Sequence, residues 1–195
     1  RFMLQRLYDR VLILAGHRHA VWWLFVMAAA EASFFPIPVE VMMLPMMFAA
    51  PRKAWLFAGV ATVGTVIGGV GGYAIGALLY DTLGQPILAL YGHEDAYDHF
   101  AKLYDEWGVW IVFAGGFTPI PYKVVTIASG VAHLDLMVFV LASVVSRGLR
   151  FLLEAALLHW FGPPIRNFIE KRMALVATVS FVVAIAGFVA VKWLL

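Results

Sequence analysis

Six ionisable residues stand inside otherwise apolar stretches of this sequence: Glu31, Glu40, Lys123, Arg147, Arg150 and Glu154. Each costs at least about 2.5 kcal/mol near a bilayer centre unless it pairs or meets water, so each needs a reason. Arg147, Arg150 and Glu154 follow at spacings of three and four, which puts them on one helical face with Ser143. On that spacing Arg150 and Glu154 pair, and Arg147 is left as surplus positive charge. A guanidinium offers two parallel donors, a geometry that suits phosphate. The face reads either as a cationic wall for an anionic group or as a structural ion pair that holds a bundle together. Glu31 and Glu40 flank a proline-rich turn. Buried carboxyls exchange protons, so these two, with Glu154, read as proton-coupling or gating groups. The plain alternative is a helix cap or a partner for Lys123.

The elements that must position these residues follow from composition. Of 195 residues, 63% are hydrophobic and 13% are charged, and the mean hydropathy is +0.88. An ordinary soluble domain is about 25% charged and still exposes roughly 30% of its unfolded area. A soluble enzyme and a disordered chain are both excluded. What remains is one all-α polytopic membrane domain, with crossings of about 20 residues each. The absence of cysteine excludes disulfides and thiolate chemistry. A net charge of +2 carries no nucleic-acid signal. No Ser/His/Asp arrangement stands out, so neither an enzyme nor a cofactor is expected. His93, Glu94, Asp95, Asp98 and His99 match no metal-ligand spacing, and a solvated amphipathic helix is expected there. No small-residue cleavage site follows the first apolar stretch, so no signal peptide is expected.

Two charge-free runs reach the length of a crossing, Ala54–Tyr80 and Met173–Val191. Two interrupted stretches carry Pro-x-Pro, at Pro36 and Pro38 and at Pro119 and Pro121. Each pair removes two backbone donors and turns the preceding residues away from helix. Open backbone survives in a membrane only when buried in protein or lining a wet cavity. Both stretches therefore read as re-entrant hairpins. The expected plan is a basic segment over 1–19, hairpin 1 over 20–51 and a crossing over 54–80. An acidic amphipathic segment over 81–106, hairpin 2 over 107–132 and crossings over 135–161 and 173–195 complete it.

Phe35-Pro36-Ile37-Pro38-Val39-Glu40-Val41 aligns with Thr118-Pro119-Ile120-Pro121-Tyr122-Lys123-Val124. If each hairpin returns to the side it enters, the copies enter from opposite faces. That is an inverted repeat, which puts a transporter's site where broken segments meet. The same layout gathers Arg1, Arg6, Arg10, Arg18, Arg52, Lys53, Arg166, Lys171 and Arg172 on one side, against Lys102 and Lys192. The basic side, with the N-terminus, should be cytoplasmic. Gly64, Gly68, Gly72 and Gly76 recur every fourth residue and give one helix a smooth face for close contact. Trp22, Trp23, Tyr104, Trp107, Trp110 and Trp193 mostly sit near segment ends, as in an interfacial belt.

Glu31-x4-Pro36-x-Pro38-x-Glu40, Gly71-Gly72-Tyr73-x-x-Gly76 and Phe117-x-Pro119 leading to Ser129-Gly130 resemble the DedA (SNARE-associated, VTT-domain) membrane protein family. The resemblance runs over about residues 28–168. Ser146-Arg147-Gly148-Leu149-Arg150-Phe151 looks like its YqaA branch. The resemblance implies opposed re-entrant hairpins and lipid transport. Bacterial members are linked to recycling of undecaprenyl phosphate and to the proton motive force, and eukaryotic relatives are phospholipid scramblases. It makes Glu31 and Glu40 the family's two hairpin carboxylates. Members often read Arg-Phe-x-Pro-x-x-Arg in the second hairpin. Here Gly116 stands at the first arginine, and Lys123, displaced by Pro121, at the second. Arg147 and Arg150 would then supply the charge from the next helix.

The expected function is translocation of an anionic lipid, undecaprenyl phosphate first, across the bacterial inner membrane, with proton coupling. Lys123, Arg147 and Arg150 would hold the phosphate. The partners expected are membrane lipids and protons, and a homo-oligomer is compatible with the sequence. The alternatives are a phospholipid scramblase, a small-ion or osmolyte transporter, and a non-transporting envelope assembly factor.

Overall fold

The computed structural model describes residues 19–84, 94–118 and 121–162. The expected basic segment up to residue 18, the final crossing, His93 and Pro119 lie outside the described residues. Among the described residues all regular structure is helical. Six helices appear: α1 (Ala20–Ser33), α2 (Glu40–Ala49), α3 (Ala54–Leu79), α4 (Glu94–Phe117), α5 (Tyr122–Val131) and α6 (Leu136–Gly162). The helical stretches Pro51–Thr82, 32 residues, and Leu136–Gly162, 27 residues, are long and apolar enough to cross a membrane. Large apolar side chains such as Val63, Ile67, Leu141, Val145 and Leu157 point outward from them.

Local chemistry sets the breaks. The amides of Phe34 and Phe35 both reach back to the Ala30 carbonyl, and Pro36 follows with no donor, so α1 stops. The chain restarts at Glu40, whose carboxylate sits in the first turn of α2, where the helix dipole favours negative charge. Pro51 opens a short 3₁₀ turn, Pro51–Lys53, that leads into α3. Pro121 precedes α5. Asp135 accepts a bond from the Val138 amide at 2.9 Å and caps α6. No boundary falls between residues 106 and 107: α4 runs unbroken from the acidic stretch into the apolar one. Nothing between Glu94 and Gly108 breaks a helix, and Gly108 lies against Leu134 rather than in a turn.

The glycine face of α3 sets the packing. A Cβ at Gly64 would lie 2.7 Å from the Phe25 carbonyl oxygen, and one at Gly68 would lie 2.6 Å from the Ala29 Cα. Gly72 meets the Ala32 carbonyl. Contacts that advance together in this way make α1 parallel to α3. Further along α3, Gly76 meets the Ile127 backbone and Tyr73 meets Gly130, so α5 continues up the same face. Phe139 lies at Gly69, Gly148 at Thr62, and His159 lies 6.3 Å from Trp55, so α6 runs antiparallel to α3. One apolar core gathers Leu24, Met43, Met46, Phe57 and Phe151; a second gathers Val112, Tyr122, Val125 and Phe139. The order of elements recurs. Glu40 to Tyr122 and Ala54 to Leu136, the starts of α2 and α5 and of α3 and α6, are both 82 positions apart.

Candidate functional site

Both proline turns end beside the middle of α6. Glu31 comes from the last turn of α1 and Glu40 from the first turn of α2. Thr118 follows the end of α4, and Tyr122 opens α5. All four meet Arg147 or Arg150.

Arg147 is almost fully buried, its side chain 3% exposed. Its Nη2 donates toward both carboxylate oxygens of Glu31, at 3.4 and 3.5 Å. Its guanidinium lies over the Tyr122 ring, 4.2 Å from the centroid, with Phe151 at 5.6 Å on α6 itself. The Tyr122 hydroxyl donates to Ser143 Oγ, which in turn donates to the Phe139 carbonyl at 2.6 Å. These bonds hold the ring where it faces the cation.

Arg150 is more open, its side chain 20% exposed, and it uses three nitrogens. Nη2 meets Glu40 Oε1 at 2.5 Å, Nε meets Glu154 Oε1 at 3.4 Å, and Nη1 donates to the Thr118 carbonyl at 2.8 Å. The last bond satisfies a carbonyl that the end of α4 leaves without an intrahelical partner. Arg147 Nε, Glu154 Oε2 and the Thr65 hydroxyl are buried and find no partner among the described residues.

The structure thus brings Glu31, Glu40, Arg147, Arg150 and Glu154 into one cluster. The expected Arg150–Glu154 pair is present. The expected surplus charge on Arg147 is not, because Glu31 neutralises it. Two guanidiniums face three carboxylates, so the fully ionised cluster carries one excess negative charge. Lys123 makes no ion pair among the described residues. The inward face of α5 is Tyr122, Val125, Thr126 and Ser129, all buried, and Lys123 lies off that face, partly exposed. Pro36, Pro38 and Pro121 stand in the turns as expected from sequence. Thr118 and Tyr122 are members of the cluster that the ionisable residues alone did not reveal. Among the described residues no group of three or more His, Asp or Glu is arranged to hold a metal ion.

A second, smaller polar knot lies at the far end of α3. His133 Nε2 meets Asp81 Oδ1 at 3.2 Å, and both side chains are about half exposed, at 45% and 52%. Tyr80 stacks on Tyr97 of α4 with centroids 4.2 Å apart. His133 has φ 51°, a left-handed conformation unusual for a residue with a Cβ.

The chain is 37% identical over 186 residues to an uncharacterised protein of Haemophilus influenzae, covering 95% of this chain and 96% of the relative. It is 35% identical over 186 residues to a protein of Histophilus somni, named only as a homologue of an uncharacterised protein, covering 95% and 97%. No solved structure matches the chain. The VTT domain model matches residues 35–159, which hold both proline turns and both arginines. The chain therefore belongs to the VTT-domain (DedA) family of membrane proteins.

Proposed function

We propose that this protein carries an anionic lipid, undecaprenyl phosphate or a close chemical relative, across the bacterial inner membrane. The observation that carries the reading is the buried cluster where the two proline turns converge on Arg147 and Arg150. The family is one of membrane proteins proposed as transporters, which supports the class.

The two turns are the tips of re-entrant hairpins that enter from opposite faces. In support, α1 advances to the middle of α3 and α2 returns to its start, while α4 and α5 do the same from the other end. The short helices α2 and α5 have ten residues each. Ten residues rise about 15 Å, half the hydrocarbon core of about 30 Å. Exposed Arg52 and Lys53 at the start of α3 support a cytoplasmic location for that end and for the N-terminus.

Transport then works by exchange. A phosphate headgroup replaces a carboxylate on a guanidinium, since both anions fit the same paired donors. The displaced carboxyl takes a proton, because an unpaired carboxylate is costly in a low dielectric. Glu31, Glu40 and Glu154 are the groups that exchange that proton. Release of the lipid restores the ion pairs and frees the proton on the other side.

One rival has an observation in its favour. Both arginines are already paired, which suits a static brace in a non-transporting assembly factor. Flux in reconstituted vesicles separates the two. Transport of a polyprenyl phosphate falls at least about tenfold in Arg147→Lys and Arg150→Lys if each loses about 1.4 kcal/mol of headgroup binding. Normal flux per folded molecule in both variants would overturn the proposal.

A further inference from the structure

Arg147 and Arg150 do not occupy equivalent places, and the difference assigns them different work. Arg147 is sealed between Tyr122, Phe151 and Glu31. Arg150 is partly open and bridges both turns at once: Nη2 holds Glu40 of the first and Nη1 holds the Thr118 carbonyl of the second. Glu40 starts the short helix α2 and Thr118 follows the end of the long helix α4, so the bridge joins an acidic helix start to an electron-rich helix end. Two other links join the hairpins, the Thr126 hydroxyl donating to the Ala32 carbonyl at 3.0 Å and Arg147 between Glu31 and Tyr122, and both are buried, whereas Arg150 is partly open.

We infer that Arg150 is a positioning residue, the clasp that keeps the two hairpin tips together, and that an anionic headgroup opens it by taking the place of Glu40. This rests on the transport reading above. Arg147 stays with Glu31 and Tyr122 until the clasp opens, because at 3% exposure its guanidinium is closed to an incoming headgroup while the tips are together. Arg150 has that path, and Glu40, whose side chain is 18% exposed, is the partner that gives way. The bond to Glu154 lies within α6.

The chain has no cysteine, so paired labels can be introduced cleanly. Ile37→Cys and Phe117→Cys place spin labels on exposed positions of the two tips. Their separation is measured by pulsed electron resonance in the full chain, in vesicles of phosphatidylcholine and in vesicles containing phosphatidic acid. The expected result is a single short distance in phosphatidylcholine. Phosphatidic acid should add a second population, longer by about 5 Å, one helical turn. Arg150→Gln and Glu40→Gln should show the longer population without phosphatidic acid, and Arg150→Lys should recover part of the short one. Size-exclusion profiles identify any variant that fails to fold; Glu40→Gln keeps size and shape and holds the test open if Arg150→Gln fails. An unchanged distance in Glu40→Gln, or in wild type with phosphatidic acid, overturns the clasp. Flux in the same vesicles keeps the two readings apart: lost transport with fixed tips rejects the clasp alone, and moving tips without transport of any phosphate lipid reject transport alone.

Discussion

The middle of the helices and the far end of α3 both hold ion pairs, and between His133–Asp81 and Arg147–Glu31 the shorter contact is the weaker. His133 and Asp81 approach to 3.2 Å, against 3.4 Å for Arg147 and Glu31. Yet the first is half in solvent and is an ion pair only when the imidazole is protonated, and the median worth of such an exposed pair is about 0–1 kcal/mol. The second is sealed among apolar side chains. There each charge depends on the other, and removal of one partner leaves the survivor uncompensated. Burial, more than distance, sets what a pair does. The outer knot joins α3, α4 and the α5–α6 turn; the inner one joins α1, α5 and α6.

The largest effect that sharpens this contrast comes from Arg147→Ala. It should destabilise the protein by about 3–5 kcal/mol, because Glu31 is left buried without a partner; thermal unfolding in detergent measures it. Gly68→Val comes next. Its new side chain would meet the Ala29 backbone and force α1 off α3, a loss of about 1–3 kcal/mol in the same assay. Tyr122→Leu removes the ring over Arg147 and should cost about 0.5–2 kcal/mol. The smallest effects belong to the outer knot. Asp81→Asn should shift stability by less than about 1 kcal/mol, and added salt should shrink the shift. His133→Gly should be more stable than His133→Ala by about 1 kcal/mol, since only glycine is at ease with φ 51°. If Asp81→Asn costs as much as Arg147→Ala, burial does not explain the difference and the comparison breaks.

Much of the cluster was legible in the sequence, and the gaps have physical causes. Charges inside apolar stretches are expensive, so Glu31, Glu40, Arg147, Arg150 and Glu154 announce themselves. The pairing does not. Helical spacing shows only the local Arg150–Glu154 contact, whereas Glu31 lies 116 positions from Arg147 and Glu40 lies 110 from Arg150. Counting local partners alone made Arg147 look unpaired. The repeat aligns Lys123 with Glu40, but one step along a helix turns a side chain by about 100°, and Tyr122 takes the inward place. Thr118 contributes a backbone carbonyl, which no side-chain pattern reveals. The signal that existed was structural: a helix that stops before a proline leaves carbonyls for a nearby arginine. The glycine face of α3 was legible as a contact surface; which helix meets each glycine depends on the fold.

The central claim is that the buried cluster serves transport and does more than brace the bundle. Replacing Glu31 and Arg147 together, as Glu31→Leu with Arg147→Met, tests it most directly, because apolar residues of similar volume often replace a buried ion pair without loss of stability. Transport of a polyprenyl phosphate into vesicles is measured per folded molecule. The account predicts a folded protein that moves lipid no faster than protein-free vesicles; transport at the wild-type rate would contradict it.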